Sequence, residues 1–304
     1  MAALELNGVE VENTYCEAFE GLFVRLIITA KQERWLRRAV CGATCLPSTV
    51  VGRTEAGLER WLGEHETPDS RTGALVQVWA NAGGRKALER FEYELSLRIR
   101  QGVLVVPTTR IFNAWESGEV IDTMARIGHC GDGYEWVETR FGREVINIPI
   151  MMGEWLIERR LGVGRGVAGG NIWFFAESED AALEAGEKAV RAVENVEGAV
   201  TPFDVCSAGS KVETRYPEIG PTTNHPYCPT LRDRIPDSKV PEGVVSIPEV
   251  VINGISLDAV RRGMLAAMEA GSRVDGIVRI GAGNFGGRLG SYRITLRELL
   301  EMRR

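Results

Sequence analysis

The chain has 304 residues, 44% of them hydrophobic, which is enough apolar material for one or two filled cores. Its net charge is −6 with acidic and basic residues interspersed, which disfavours nucleic acid as the main partner, because phosphate binding needs a basic face. No run approaches the 18 or so apolar residues of a bilayer span, and Met1-Ala-Ala-Leu-Glu-Leu6 lacks the pattern of a secretory signal, so the expected location is cytoplasmic, with no membrane contact.

The apolar run Leu22–Thr29 reads as a strand. Lys31 to about Cys41 reads as a helix with Trp35, Leu36 and Ala39 on one face. Thr44–Val51, interrupted by Pro47, is a second strand, and a turn-rich stretch from Gly63 to Gly73 follows it. Ala74–Ala80 is a third strand, Arg85–Arg100 a helix and Val103–Val106 a fourth strand. The join to the second half is expected around Gly142–Gly153.

Beyond it, Asn171–Glu177 is an apolar, aromatic strand. Ser178 has the character of an N-cap, with Glu179 and Asp180 in the first turn of a helix running to about Asn195. Gly198 stops that helix, and a strand begins near Ala199. A proline-rich loop, Pro217–Pro241, leads into a strand over Val244–Ile252. Asn253-Gly254 breaks it, Ser256 caps a helix through about Ala270, and Gly276–Ile280 is the last strand. Each half therefore reads βαββαβ. The expected fold class is α+β, with two ferredoxin-like lobes related by internal duplication, over residues 1–145 and 146–304.

Five glycines crowd Gly281–Gly290 directly after the last strand. Such a turn permits positive φ and close backbone approach, and Asn284 and Arg288 are its polar handles. A hairpin turn that binds nothing fits the same residues. No Gly-Lys-Ser/Thr follows, so it is not a P-loop, and the spacing is not that of a dinucleotide fold. Cys16, Cys41, Cys45, Cys130, Cys206 and Cys228 are scattered, and His65, His129 and His225 lie far apart, so no metal site is expected. Glu249 stands inside the apolar run Val244–Ile252, sharing a period-two face with Val245, Ile247 and Val251. Desolvation there raises a carboxyl pKa and suits it to hold a proton at neutral pH; a glutamate on the wet face of an edge strand fits the pattern too, with Pro248 beside it.

A series of short motifs in fixed order resembles the formylmethanofuran:tetrahydromethanopterin N-formyltransferase family from end to end. It includes Asn7-Gly-Val-Glu-Val-Glu-Asn-Thr14, Glu17-Ala-Phe-Glu20, Glu66-Thr-Pro-Asp69, Pro107-Thr-Thr109, Gly131-Asp-Gly-Tyr134 and Gly166-Val-Ala-Gly-Gly-Asn171. It continues with Ser210-Lys-Val212, Thr223-Asn224, Tyr227-Cys-Pro-Thr230, Glu249-Val-Val-Ile-Asn-Gly254 and Ala282-Gly-Asn-Phe-Gly-Gly287. The resemblance implies two ferredoxin-like lobes and a cytoplasmic homotetramer with no metal or tightly bound cofactor. It implies formyl transfer between methanofuran and N5 of tetrahydromethanopterin, in methanogenesis or one-carbon oxidation, without a covalent enzyme intermediate. The alternative reading of this chain is a non-catalytic paralogue that acts as a coenzyme-binding or structural subunit of a formyltransferase/hydrolase assembly.

The resemblance makes Glu249 the catalytic candidate. It makes Ser210, Lys211, Asn224, Tyr227, Gly283, Asn284, Phe285, Gly286, Gly287, Asp132 and Tyr134 candidates for coenzyme binding, with the glycine loop offering backbone N–H groups near the formyl oxygen or the pterin. Turn chemistry alone also explains Asn224, Tyr227 and Asp132–Tyr134, and Lys211 fits a solvated loop. The chain departs from the family pattern at Arg100-Gln-Gly102, His129-Cys130, around Cys206, at Lys211-Val-Glu-Thr214 and at Thr223-Asn-His-Pro-Tyr227.

Overall fold

The computed structural model describes residues 4–45 and 53–303. The chain opens with strands β1 (Leu4–Leu6), β2 (Val9–Val11) and β3 (Tyr15–Ala30), then helix α1 (Glu33–Thr44). Strands β4 (Thr54–Leu62) and β5 (Thr72–Asn81) lead to helix α2 (Ala87–Arg98) and strand β6 (Arg110–Asn113). Next come β7 (Val120–Asp122), β8 (Trp136–Arg140), β9 (Arg143–Ile150), β10 (Gly153–Glu158) and β11 (Arg160–Ala176). Helix α3 (Glu179–Val193), β12 (Ala199–Val200), β13 (Glu249–Gly254), α4 (Leu257–Gly271), β14 (Ile277–Gly281), β15 (Tyr292–Thr295) and α5 (Leu296–Glu301) complete it. The architecture is a mixed α+β fold dominated by sheet.

These elements form two compact units: residues 21–165, and residues up to Glu20 together with Gly166 onward. The expected join at 145/146 falls inside β9, whose hydrogen bonds to β10 (Gly153↔Ile150 to Glu158↔Val145) hold that hairpin in the 21–165 unit. The N-terminal strands β1 and β2 belong instead with the later residues, because β2 pairs in parallel with β14.

In the 21–165 unit the strand order is β4-β5-β3-β6-β10-β9-β8. β3 and β5 run antiparallel from Gly21↔Asn81 to Ala30↔Thr72. Alternation sends Leu22, Val24, Leu26 and Ile28 into one core with Leu36, Ala39, Val40 and Ala43 of α1 and with Phe91 and Leu95 of α2. The fourth strand expected over Val103–Val106 is not one. α2 continues into a π-helical turn, Ile99–Leu104, and the strand comes later, at Arg110–Asn113. A short apolar run fits a buried helix as well as a strand, and packing decides here: a Cβ on Gly102 would lie 2.5 Å from the Gly42 backbone. The strand expected over Thr44–Val51 begins on the last residue of α1, and from residue 46 onward it lies outside the described residues.

In the other unit the order is β12-β13-β11-β14-β2-β1, with β15 on the first residues of β3. Ile172, Phe174, Val250, Ile252 and Ile280 face α3 and α4 in one buried core. Both helices start as the sequence indicates, since the Ser178 and Ser256 hydroxyls accept from the Ala181 and Ala259 N–H groups at 3.1 Å each. The strand expected from Val244 starts only at Glu249; before it there is a single bridge, Ala176↔Ser246, and Pro248 supplies no N–H to a ladder. Asn253-Gly254, expected to break the strand, lies within it, and the Asn253 carbonyl Oδ1 accepts from Gly169 N–H at 2.8 Å.

Candidate active site

The candidate site lies on the face of the second unit's sheet opposite its helices. Three residues sit side by side there: Trp173 of β11 is the register partner of Glu249 on β13 and of Gly281 on β14. Period-two alternation puts Asn171 and Phe175 on the same face. Trp173, Phe175, Val240 and Val244 form a small cluster with Tyr227 and Ile247, so the proline-rich loop is anchored on this face. Tyr227 meets Trp173 edge-on at 4.7 Å between centroids, and Lys239 Nζ lies 5.5 Å from the Tyr227 ring centre.

Glu249 is half-buried among these groups. The Trp173 indole Nε1–H donates to its Oε1 at 2.9 Å. Its backbone exchanges two hydrogen bonds with Cys206, at 2.8 and 2.9 Å, which bring the Cys206 thiol to the same carboxyl. Burial pushes the Glu249 pKa up, and the bonds from Trp173 and Cys206 pull it only part of the way back. Burial also raises Cys206, and the adjoining Glu249 charge raises it further, so this thiol is a hydrogen-bond partner and not a thiolate. Glu12 stands nearby with a raised pKa, chiefly from burial, opposed by Arg279 at 3.6 Å.

The glycine loop reaches the same place. A Cβ on Gly283 would be 2.6 Å from Trp173 Cζ2, and one on Gly281 would be 2.6 Å from Glu12 Oε2, so only glycine fits either position without displacing the site. Gly283 N–H donates to Asn171 Oδ1 at 2.6 Å, and Asn171 Nδ2 donates back to Gly283 O at 3.3 Å. Glu249, Tyr227 and Gly283 are thus gathered around Trp173.

The remaining candidates of this unit hold loops. Asn284 Nδ2 donates to Thr14 Oγ1 at 3.3 Å and to Tyr15 O at 3.2 Å, and its Oδ1 accepts from Gly286 N–H at 3.1 Å. The N–H groups of Phe285 and Gly287 go to the Glu17 carboxylate, so they are not free for a formyl oxygen. Lys211 exchanges backbone hydrogen bonds with Thr222 at 2.8 and 3.0 Å, and its ammonium donates to Glu213 O. The Glu213 carboxylate pairs with Arg288, tying the 211–214 segment to the glycine loop. Asn224 O accepts from Tyr227 N–H at 2.9 Å in a turn, and Ser210 is half-buried beside Gly209, whose Cβ position is 3.6 Å from Asn224 Cβ. Asp132 and Tyr134 belong to the other unit. Asp132 occupies a left-handed turn position at φ 56°, and Tyr134 is exposed. Among the described residues no cluster of three or more His, Cys, Asp or Glu is arranged to hold a metal.

Family models match nearly the whole chain: residues 4–150 match that for formylmethanofuran-tetrahydromethanopterin formyltransferase, and residues 153–299 match that for its proximal lobe. The chain belongs to this formyltransferase family. It is 61% identical to a formylmethanofuran–tetrahydromethanopterin formyltransferase-like protein of Methanopyrus kandleri, covering 98% of this chain and 99% of the relative. Its fold superposes on the formyltransferase of Methanosarcina barkeri with a TM-score of 0.90 at 38% identity, over 97% of this chain and 100% of that one. It also superposes on a chain of the formyltransferase/hydrolase complex of Methylorubrum extorquens, solved with methylofuran, with a TM-score of 0.89 at 32% identity over 98% and 99% of the two chains. The residues that sequence reasoning did not single out are Trp173, Asn171 and Glu17. Trp173 and Asn171 had a readable signal, the same strand parity as each other; the partners of Glu17 lie more than 260 residues away.

Proposed function

We propose that this protein transfers a formyl group between formylmethanofuran and N5 of tetrahydromethanopterin, with Glu249 as the proton-handling residue. The observation that carries the reading is the Trp173–Glu249 pair beside the glycine loop, a carboxyl whose pKa burial raises and which an indole N–H aims. The pterin N5 is weakly basic and needs little activation as a nucleophile. As its lone pair forms the new C–N bond, the formyl oxygen gains charge. Glu249 donates its proton toward that oxygen and on to the leaving furan amine as the old C–N bond breaks, and the carboxylate then takes the proton released from N5. No bond to the enzyme forms, and Glu249 ends as it began.

The same reading takes the two units as ferredoxin-like lobes related by duplication. It is supported by the matching order in each: the four strands of βαββαβ run 2-3-1-4 in both, as β4-β5-β3-β6 and as β12-β13-β11-β14. It places Ser210, Lys211, Asn224, Tyr227, Asn284, Asp132 and Tyr134 at the coenzymes, and takes the assembly as a cytoplasmic homotetramer working in one-carbon metabolism.

The test mixes the purified protein with formylmethanofuran and tetrahydromethanopterin and follows 5-formyl pterin by absorbance. Saturable turnover, cut roughly a hundredfold or more in Glu249→Gln with the fold intact, is expected. A folded oligomer that binds a coenzyme yet does not turn over would replace this reading with a non-catalytic subunit. Near-normal turnover in Glu249→Gln would remove that residue from the mechanism.

A further inference from the structure

Glu17 lies on β3, is 1% exposed, and is surrounded by N–H groups of a single loop. Its Oε1 accepts from Phe285 N–H at 2.7 Å and from Gly287 N–H; its Oε2 accepts from Leu289 N–H at 3.0 Å and from Gly290 N–H at 2.7 Å. Two donors on each oxygen make a nest of the kind that binds a free anion, filled here by a side chain of the same protein. The loop is shaped for it: Gly286 and Gly287 have φ of 70° and 74°, and a Cβ on Gly290 would sit 2.6 Å from Glu17 Cβ. Burial alone would push this carboxyl up, and the four N–H donors together outweigh it and hold it low, so the nest contains a carboxylate.

This loop also carries Gly283, which packs on Trp173, which in turn donates to Glu249. Arg288 and Glu213 join its outer edge to the 211–214 segment. We infer that Glu17 is a positioning residue for formyl transfer: its buried carboxylate clamps the 283–290 loop so that Gly283 stays against Trp173 and the Trp173–Glu249 hydrogen bond keeps its geometry. The inference rests on the formyltransferase reading for its catalytic part and on the loop geometry alone for the clamp.

Glu17→Gln preserves shape but leaves one acceptor oxygen and turns an NH2 group toward two N–H donors. Glu17→Asp keeps the charge on a stem one methylene shorter. The experiment measures amide hydrogen exchange over residues 281–293 and steady-state kinetics with both coenzymes in the wild type and the two variants. In Glu17→Gln the loop amides should exchange at least about tenfold faster while strand β5 is unchanged. Its kcat should fall about ten- to a hundredfold, with the basic limb of the pH–kcat profile displaced, because Glu249 is no longer held as before. Glu17→Asp should recover part of both effects. Unchanged loop exchange in Glu17→Gln overturns the clamp. Faster exchange with kcat, KM and the pH profile all within twofold of wild type overturns the positioning role. A wild type without turnover overturns the formyltransferase reading alone, since the exchange measurement still decides the clamp.

Discussion

Glu249 and Glu17 behave in opposite ways, and their hydrogen-bond partners explain why. Glu249 has an indole N–H and a thiol against strong desolvation, so its pKa is raised; Glu17 has four backbone N–H donors, so its pKa is lowered. The consequences for pH follow. A carboxyl whose folded pKa is raised stabilises the fold fully below its unfolded pKa, and that contribution is lost as pH rises through the folded value. Glu249→Gln should therefore match the wild type in acid and be the more stable protein once pH passes the folded pKa of Glu249, as denaturant titrations at pH 4 to 9 would reveal; equal stability at every pH would mean that the carboxyl is not desolvated. The opposite holds for Glu17, whose contribution is present above its unfolded pKa and fades as pH falls through the folded one. The desolvation of Glu249 and the upward pull on its pKa were legible from its place in an apolar run. For Trp173 only the strand parity it shares with Asn171 was legible; its pairing with Glu249 was not, because a tryptophan in an aromatic strand reads as core until the register sets it opposite a glutamate. The glycine loop was legible as a close approach of backbone, but its N–H groups proved to be turned inward to Glu17.

Among the elements, helices with a hydroxyl cap and a clear apolar stripe were read within a residue or two at their starts, as for α3 and α4. Reading failed where packing and not periodicity chose the conformation. Val103–Val106 has strand composition, yet α2 runs on into a π-helical turn because Gly102 and Gly42 bring two helical segments into backbone contact. Glycine at position 102 is what lets that contact form. Gly102→Ala should cost about 2 kcal/mol in chemical denaturation, because its Cβ meets backbone that has no rotamer to yield; a change within experimental error would show that the two segments separate freely. Strand β7, the consecutive strands β8 to β10 and the terminal β15–α5 pair were not foreseen, since strands of three to eight residues with exposed polar positions carry little periodic signal.

At the scale of the whole molecule, the alternation of helices and strands in each half was legible, while the placement of residues 4–20 was not. Residues 4–20 read as a prelude to the first half, but β2 completes the sheet edge beside β14, and β15 lies against the first residues of β3. Long-range pairing of this kind leaves no local trace. No helix among the described residues is long and apolar enough to cross a membrane.

The span between Glu17 and its loop also sets a timetable. Phe285 follows Glu17 by 268 residues, so on the ribosome the carboxylate is made early and must wait for nearly the whole intervening chain before its donors exist. Until then it is solvated, and the site cannot be completed around it. In refolding followed by pulse labelling, the amides of Phe285, Gly287, Leu289 and Gly290 should gain protection after those of the β4–β5 hairpin, whose ends are close in sequence; simultaneous protection would show that the loop closes with the first collapse. The clamp on the glycine loop is thus one of the last contacts the growing chain can make, because all four of its donors lie between residues 285 and 290.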